Sequence, residues 1–226
     1  MMKSIVGLLL CAAALLGGCA SMERPDPLEP MNRKVFAFNE GLDKVVLKPA
    51  ATVYEKVVPT PIRTGTGNFF ANSRDLWSAT NLLLQGRGAD GMTGMARFGA
   101  NTVFGVLGVF DVASGWGLER QSSDLGLTLQ RWGVAPGAYL VLPVFGASTV
   151  RDTVGLPADL LATPLTAITN VPLRNSLTVT DLVNTRAKLL PVTRVLEDVA
   201  LDKYLFVRDA YLQRRGYPED PQADTK

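Results

Sequence analysis

The sequence predicts a mostly α-helical fold with little β-structure, in one domain over residues 26–217. Apolar side chains recur every three or four residues in several segments, which is typical of helices that bury one face. Hydrophobic residues make up 47% of the 226-residue chain and the mean hydropathy is positive, yet no apolar run is long enough to span a bilayer. The sequence therefore predicts a set of amphipathic and short hydrophobic helices.

The first residues have the layout of a cleaved secretory signal. Lys3 provides a positive charge, residues 5–16 form a short apolar segment, and the small pair Gly17 and Gly18 precedes Cys19. The order Leu-Gly-Gly-Cys resembles a bacterial lipobox, in which the cysteine becomes the lipidated first residue. We expect residues 1–18 to be a lipoprotein signal peptide and Cys19 to be the lipid attachment site. The alternative is an ordinary signal peptide with an incidental cysteine.

Residues 19–25 form the predicted lipidated tether, whose extended reach of roughly 20 Å would hold the domain against the membrane surface. Ala20 follows the cysteine, and in the lipoproteins that this segment resembles a residue other than aspartate implies outer-membrane delivery. Cys11 lies in the predicted signal, so one cysteine remains and no intramolecular disulfide is expected. The mature chain would be nearly neutral, which gives no indication of a nucleic-acid partner.

Helical patterns fill the chain up to about residue 133. Apolar residues between Met31 and Val46 fall on one stripe, and Pro49 is expected to end that helix. Gly86 should end a second helix over residues 68–85. A third helix over residues 89–104 is expected to continue into the apolar run that follows. A shorter helix is predicted over residues 122–133.

The second half begins with an extended segment and a helix interrupted by proline. Residues 138–146 form an apolar run between glycines, which reads as an edge hairpin or an irregular crossing. Ser148 is a plausible N-cap for the segment after it, which Pro157 and Pro164 are expected to break.

Two helices are predicted at the end of the chain. The first covers about residues 178–190 and is expected to stop at Pro191, and the second covers about residues 192–215 and ends at Gly216. Residues 218–226 are expected to form a disordered tail.

One short apolar run stands apart from the amphipathic helices and is our candidate membrane or channel segment. It contains no polar side chain, and as a helix it would extend only about 12 Å. On periodicity alone, burial in a large water-soluble core and insertion into one membrane leaflet are equally compatible with it. The same holds for the proline-broken residues 156–168. The candidate segment is Val103, Phe104, Gly105, Val106, Leu107, Gly108, Val109 and Phe110.

Catalytic and metal-binding patterns point away from an enzyme. The chain has no histidine, the usual general base and metal ligand, and it lacks both a nucleophile elbow and a P-loop. One predicted mature cysteine cannot form a zinc site. We therefore expect no catalytic residues, no metal and no cofactor.

Arg186 and Arg208 each lie in the middle of the apolar stripe of a predicted helix near the end of the chain. A guanidinium on an apolar face needs an anionic partner, because an unpaired buried charge is costly. That partner is either an acidic side chain, for which Asp181, Asp202 and Asp209 are candidates, or a phosphate. The ion pair is the commoner solution.

Several long blocks together resemble the MlaA family, also called the VacJ lipoproteins. They occur in the family's order, cover most of residues 26–217 and accompany the lipobox. The blocks are DPLEPMNRKVFAFNEGLDKVVLKP, NFFANSRDLWSATNLLLQG, RFGANTVFGVLGVFDVAS, DLGLTLQRWGVAPGAYLVLPVFGASTVRDTVG and DKYLFVRDAYLQRRGY.

The resemblance implies a helical lipoprotein of the Gram-negative outer membrane, embedded in the periplasmic leaflet as a ring of helices around an amphipathic channel. It would remove phospholipids misplaced in the outer leaflet and so maintain lipid asymmetry. Its partners would be phospholipid, a trimeric porin and a soluble periplasmic carrier similar to MlaC. Residues 103–110 would then be a leaflet-inserted helix pair bent at its glycines. A tethering lipoprotein that binds a porin without moving lipid is the alternative, and a lipid hydrolase is a more distant one.

Overall fold

The computed structural model describes residues 26–216, and most of these residues are helical. The predicted signal peptide, Cys19, the tether and the tail at 218–226 lie outside the described residues. The elements, in chain order, are α1 Glu29–Leu42, a π-helix Asp43–Leu47, α2 Lys48–Val57, α3 Thr60–Leu84, α4 Gly88–Val103, α5 Val112–Gly115, α6 Leu125–Arg131, β1 Tyr139–Leu142, β2 Gly146–Thr149, α7 Val150–Leu161, a 3₁₀ turn Pro164–Ala167, α8 Val171–Val199 and α9 Lys203–Arg214.

The mostly helical fold class is confirmed. Strands β1 and β2 form a two-stranded antiparallel hairpin with Tyr139 opposite Thr149, so the extended segment is a hairpin and not an irregular crossing. The short helix before it is confirmed as α6. None of the helices described in residues 26–216 is long and apolar enough to cross a membrane.

Pro49 does not end the first helix, which was a wrong expectation. The backbone passes from α1 through the π-helix into α2, and Pro49 lies in the first turn of α2. The wide π turn before it gives the ring room, and proline is tolerated in a first helical turn.

Pro157 and Pro191 also fail to break their helices, because tertiary contacts hold the chain on both sides of each ring. Around Pro157, Gly155 packs closely on Gly126 and Asp159 accepts a hydrogen bond from Leu125 N at 2.9 Å. Around Pro191, α8 continues for 29 residues and ends only at Val199.

Two ion pairs flank Pro191 along α8. Arg186 pairs with Asp43 before it, and Glu197 pairs with Lys48 after it. The last helix consequently starts at Lys203, where Asp202 caps it by accepting hydrogen bonds from the backbone N–H groups of Tyr204 and Leu205.

Three other boundaries differ from the sequence prediction. Helix α3 begins at Thr60, eight residues before the predicted start, after the extended Pro59. Thr149, not Ser148, caps α7 by accepting from Asp152 N at 3.2 Å. Helix α4 ends at Val103, so residues 104–110 are turns and not a bent helix pair.

The interior is unusually polar. Several asparagines are almost fully buried, and each connects separate elements. Asn32 on α1, for example, donates to Tyr139 O at 3.0 Å and accepts from Val141 N at 2.9 Å, so a side-chain amide joins α1 to the hairpin. Apolar burial is concentrated in two small clusters, one around Tyr139, Val141, Tyr204 and Leu212 and the other around Ala51, Ala187 and Leu190.

Candidate functional site

Residues 103–110, called the apolar loop from here on, leave the end of α4 and turn back on it. Leu107 N donates to Thr102 O at 3.0 Å and Gly108 N donates to Asn101 O at 2.8 Å. Val106 and Leu107 both have positive φ angles, of 52° and 56°, which side chains other than glycine rarely adopt. The tight reversal therefore places their side chains outward at a backbone cost that other contacts must offset.

The large side chains of the apolar loop point away from the protein. The five that stand free are between 61% and 71% exposed, and the neighbouring Trp116 is 58% exposed. Phe104 and Trp116 stack edge to face with ring centroids 5.4 Å apart. Exposed large apolar side chains that are grouped in this way mark an interaction with lipid or protein. The five are Val103, Phe104, Val106, Leu107 and Phe110.

Glycine is required at two positions of the apolar loop. A Cβ on Gly105 would lie 2.1 Å from Phe110 O and 2.5 Å from Asn101 O. A Cβ on Gly108 would lie 2.5 Å from the Cβ of Asn72 on α3, and the φ of Gly108 is 89°. Both glycines therefore permit close backbone approach, which explains why an apolar run of this length contains them.

Two asparagines of α3 hold the apolar loop and the end of α4 that leads into it. Asn68 donates from Nδ2 to Val109 O at 3.1 Å, and Asn72 donates from Nδ2 to Thr102 Oγ1 at 3.0 Å. Val109 itself is half-buried and faces Gly65. The apolar loop is therefore fixed to α3 by hydrogen bonds, while its large side chains take little part in the packing.

A buried ion-pair network, the polar clamp, closes the base of the apolar loop. Arg97 on α4 is 1% exposed and donates to both carboxylate oxygens of Asp111, at 3.0 and 3.1 Å. It also donates to Ser114 Oγ and to Leu118 O. Asn101 donates to Asp111 Oδ1 at 3.0 Å and accepts from Ala113 N at 2.9 Å.

The charges of the polar clamp extend to α3. Burial alone would raise the pKa of Asp111, but hydrogen bonds from Ser114 and Asn101 and the charge of Arg97 lower it to about 2. Asp75 lies 3.7 Å from Arg97 Nε and 3.0 Å from Arg120 Nε, and burial raises the pKa of its carboxyl despite these two arginines. The Arg97 guanidinium therefore has carboxylates on two sides.

Sequence reasoning missed the polar clamp. Arg97 and Asn101 are four residues apart on one helix face, and Asp111 directly follows the apolar run. The available signal was the polar pair Arg97 and Asn101 before the apolar run together with Asp111 after it. This pattern indicates a turn whose two ends are joined by polar contacts.

Both arginines selected from the sequence have acidic partners. Arg186 donates to the two oxygens of Asp43 at 2.6 and 2.8 Å, a partner outside the three acids that we considered. Arg208 donates to its neighbour Asp209 at 2.7 Å and lies 3.9 Å from Asp26. Across residues 26–216 no group of acidic or cysteine side chains is arranged to hold a metal ion.

A helical domain with a polar interior and large apolar side chains at its surface is typical of proteins that lie at a boundary between lipid and water. Comparison with known proteins shows to which family the chain belongs. The model of the family described as MlaA lipoprotein matches residues 24–218, and the chain belongs to that family.

Named relatives are similar over nearly the whole chain. The intermembrane phospholipid transport system lipoprotein MlaA of Shigella flexneri is 36% identical, with 96% of this chain and 89% of the relative covered. The protein of the same name from Haemophilus influenzae is 35% identical, with 93% and 88% covered.

A solved structure also matches this chain. It was described as the structural basis for maintenance of bacterial outer membrane lipid asymmetry, and it is 37% identical with a TM-score of 0.74. The match covers 85% of this chain and 98% of the other. At 37% identity the two chains share a family as well as a fold class.

Proposed function

We propose that this chain removes misplaced phospholipids from the outer leaflet of the outer membrane and passes them toward the periplasm. The observation that carries the proposal is the apolar loop, whose large side chains are exposed while a buried polar clamp fixes its base. The names of the relatives, which refer to intermembrane phospholipid transport, support the same substrate.

The physical task suits a protein without catalytic groups. Exposing two acyl chains to water costs about 0.8 kcal/mol per CH₂, which amounts to roughly 20 kcal/mol or more for a phospholipid. A channel that keeps the chains in apolar surroundings and the headgroup in polar surroundings lowers this barrier without any bond being broken. Because the sequence has no nucleotide-binding motif, the direction would come from a lipid gradient or from a downstream carrier.

The proposed arrangement is a ring of helices in the periplasmic leaflet, anchored by a lipid on Cys19. The apolar loop would lie against or inside the acyl chains and border the channel. Trimeric porin and a soluble MlaC-like carrier are the proposed protein partners. In this arrangement Arg186 and Arg208 act as ion-pair arginines, since acidic side chains already occupy both guanidiniums.

The test is the amount of outer-leaflet phospholipid in a strain that lacks this chain, read as palmitate transfer onto lipopolysaccharide. We expect the signal to rise on deletion, to fall on complementation with the wild type and to stay high with Cys19→Ala. No rise on deletion would refute lipid removal and leave the tethering function.

A second test places the apolar loop relative to the membrane. Cysteines introduced at Val106 and Leu107 should be shielded from a water-soluble thiol reagent in membranes and react freely in a denaturing detergent. Val109 is less suitable, because protein already half-buries it. A cysteine at the exposed Lys56 gives the fully reactive reference. Free labelling at both loop positions would contradict membrane insertion.

A further inference from the structure

Helices α3 and α8 pack against each other along a seam that two contacts define. Arg74 on α3 donates to Asp181 on α8 at 2.7 Å, and Gly67 on α3 faces Lys188 on α8. On each helix the two residues are seven positions apart, about two turns, so they lie on one face. The seam therefore has an ion pair at one end and a lysine against a glycine at the other.

Lys188 is placed by the absence of a side chain on Gly67. A Cβ built on that glycine would lie 1.9 Å from Lys188 Nζ and 2.6 Å from its Cε, so the ammonium occupies the volume that any other residue would fill. Within residues 26–216 no acidic side chain forms an ion pair with this ammonium, and Lys188 as a whole residue is exposed.

Two ion pairs lie near Lys188. Burial lowers the pKa of Lys188, and the charges of Arg74 and Arg120 lower it further, while Asp181 opposes them. The nearby acids are engaged with other cations, since Asp181 pairs with Arg74 and Asp75 pairs with Arg120. An anion beside Lys188 would therefore meet one ammonium that is unpaired among the described residues and can donate three hydrogen bonds, next to two arginines that already pair with carboxylates.

We propose that Lys188 binds the phosphate group of a phospholipid at the seam between α3 and α8. This inference rests on the proposed function and adds to it a site for the headgroup. Ammonium and guanidinium groups form the short, charge-assisted hydrogen bonds that phosphate oxygens accept best.

The position of the seam favours a lipid over free phosphate. Gly67 adjoins Asn68, whose side chain holds the apolar loop at Val109 O. Helix α3 thus borders a cationic site on one face and supports the exposed apolar loop on another, at neighbouring positions along its axis. An amphiphile with a phosphate and acyl chains fits such a pair of surfaces, whereas inorganic phosphate uses only one of them.

The experiment titrates the full-length protein in a maltoside detergent with dihexanoyl phosphatidylglycerol and, separately, with inorganic phosphate, by isothermal titration calorimetry. Lys188→Gln removes the unpaired charge. Gly67→Ala keeps every charge but puts a methyl group where the ammonium lies, and it suits a helix better than glycine does. Lys56→Gln is the matched control, because Lys56 is exposed, lies on α2 and forms no ion pair within the described residues.

We expect both seam variants to bind the short-chain lipid about tenfold more weakly than the wild type, with Lys56→Gln within about twofold. Equal lipid binding by wild type, Lys188→Gln and Gly67→Ala would overturn the site. Inorganic phosphate that binds as tightly as the lipid, with the same loss in both variants, would overturn the lipid as the source of the phosphate. If Lys188→Gln and Gly67→Ala both restored lipid asymmetry in cells as well as the wild type does, only this inference would be refuted. If deletion of the chain left lipid asymmetry unchanged, the proposed function would be refuted.

Discussion

The cluster of Tyr139, Val141, Tyr204 and Leu212, called the aromatic cluster from here on, buries its apolar residues, whereas the apolar loop exposes them. In the aromatic cluster, Tyr139, Tyr204 and Leu212 are at most 5% exposed, and Tyr139 packs edge to face with both Tyr204 and Tyr211. In the apolar loop the large side chains are exposed and the buried group is the Arg97 guanidinium.

The two regions therefore differ in the interactions that stabilise them and in whether their apolar side chains are available to bind a ligand. Burial of apolar area stabilises the aromatic cluster, so its side chains are committed to the fold. Hydrogen bonds and ion pairs hold the apolar loop, so its side chains remain available to contact lipid. The following predictions test this distinction, in order of decreasing effect on the free energy of unfolding.

Arg97→Met should have the largest effect. The substitution removes the cation of the polar clamp and leaves Asp111 and Asp75 with fewer partners in a buried setting, which costs about 3–5 kcal/mol. Urea unfolding of the full-length protein in detergent measures it. Arg87→Met removes an exposed ion pair with Asp90 and should change stability by less than about 1 kcal/mol. Similar values for the two variants would show that the clamp does not stabilise the fold.

Leu212→Ala and Leu107→Ala compare one residue type in the two regions. Leu212 is 5% exposed and Leu107 is 64% exposed. We expect a loss of about 3 kcal/mol at Leu212, from lost burial and the cavity left behind, and less than about 0.5 kcal/mol at Leu107. The same unfolding assay measures both. A loss at Leu107 as large as that at Leu212 would mean that the apolar loop packs as a core in detergent.

Gly105→Ala tests the close backbone approach at the base of the apolar loop. Its Cβ would overlap two carbonyl oxygens, so we expect a loss of about 2 kcal/mol as the turn shifts. Gly99→Ala lies inside α4 with open space around its Cβ and should gain about 0.5–1 kcal/mol from helix propensity. Thermal unfolding of both variants gives the comparison. A stabilised Gly105→Ala would refute the tight turn.

Acid should weaken the polar clamp by a smaller amount. Folding lowers the pKa of Asp111 to about 2, so its stabilising contribution is present above the aspartate pKa of about 4 and is lost as the pH falls toward 2. Asp75 acts in the opposite sense, because burial raises its pKa and the folded form takes up a proton first.

Between pH 4 and pH 2 we expect the wild type to lose about 1 kcal/mol more stability than Asp111→Asn, which cannot titrate at this position. The measurement is the free energy of unfolding in urea at each pH. Parallel curves for the two proteins would show that Asp111 is not stabilised as a carboxylate by the fold.

Local sequence signals predicted the helices well and their ends poorly. Helix α6 lies within the predicted residues 122–133, and its ends are set locally, because the Asp124 cap and the left-handed Gly133 act within a few residues. Pro49, Pro157 and Pro191 were expected to break helices, yet contacts from other elements hold the chain on both sides of Pro157 and Pro191. A proline inside a helix costs about 3 kcal/mol, and the local sequence does not show the long-range contacts that accompany these two.

The candidate site was predicted in part for the same reason. The apolar run, its unusual glycines and the absence of histidine are visible in the sequence, whereas the exposure of the run is not, because burial in a core was equally compatible with its pattern. The polar clamp left only an indirect signal, the pair Arg97 and Asn101 before the apolar run and Asp111 after it, because the run itself does not indicate which way its chain turns.

The sequence by itself determined the helical character of the chain, its membership of a lipoprotein family and the presence of one short apolar segment unsuited to spanning a bilayer. Tertiary structure decided that this segment forms a turn with its side chains outward, that Arg186 pairs with Asp43 from 143 positions away, and that Lys188 lies in the space left by Gly67. Periodicity and capping depend on neighbours a few residues away. Buried charges take the partner that the folded chain brings within reach, and that partner depends on the whole topology.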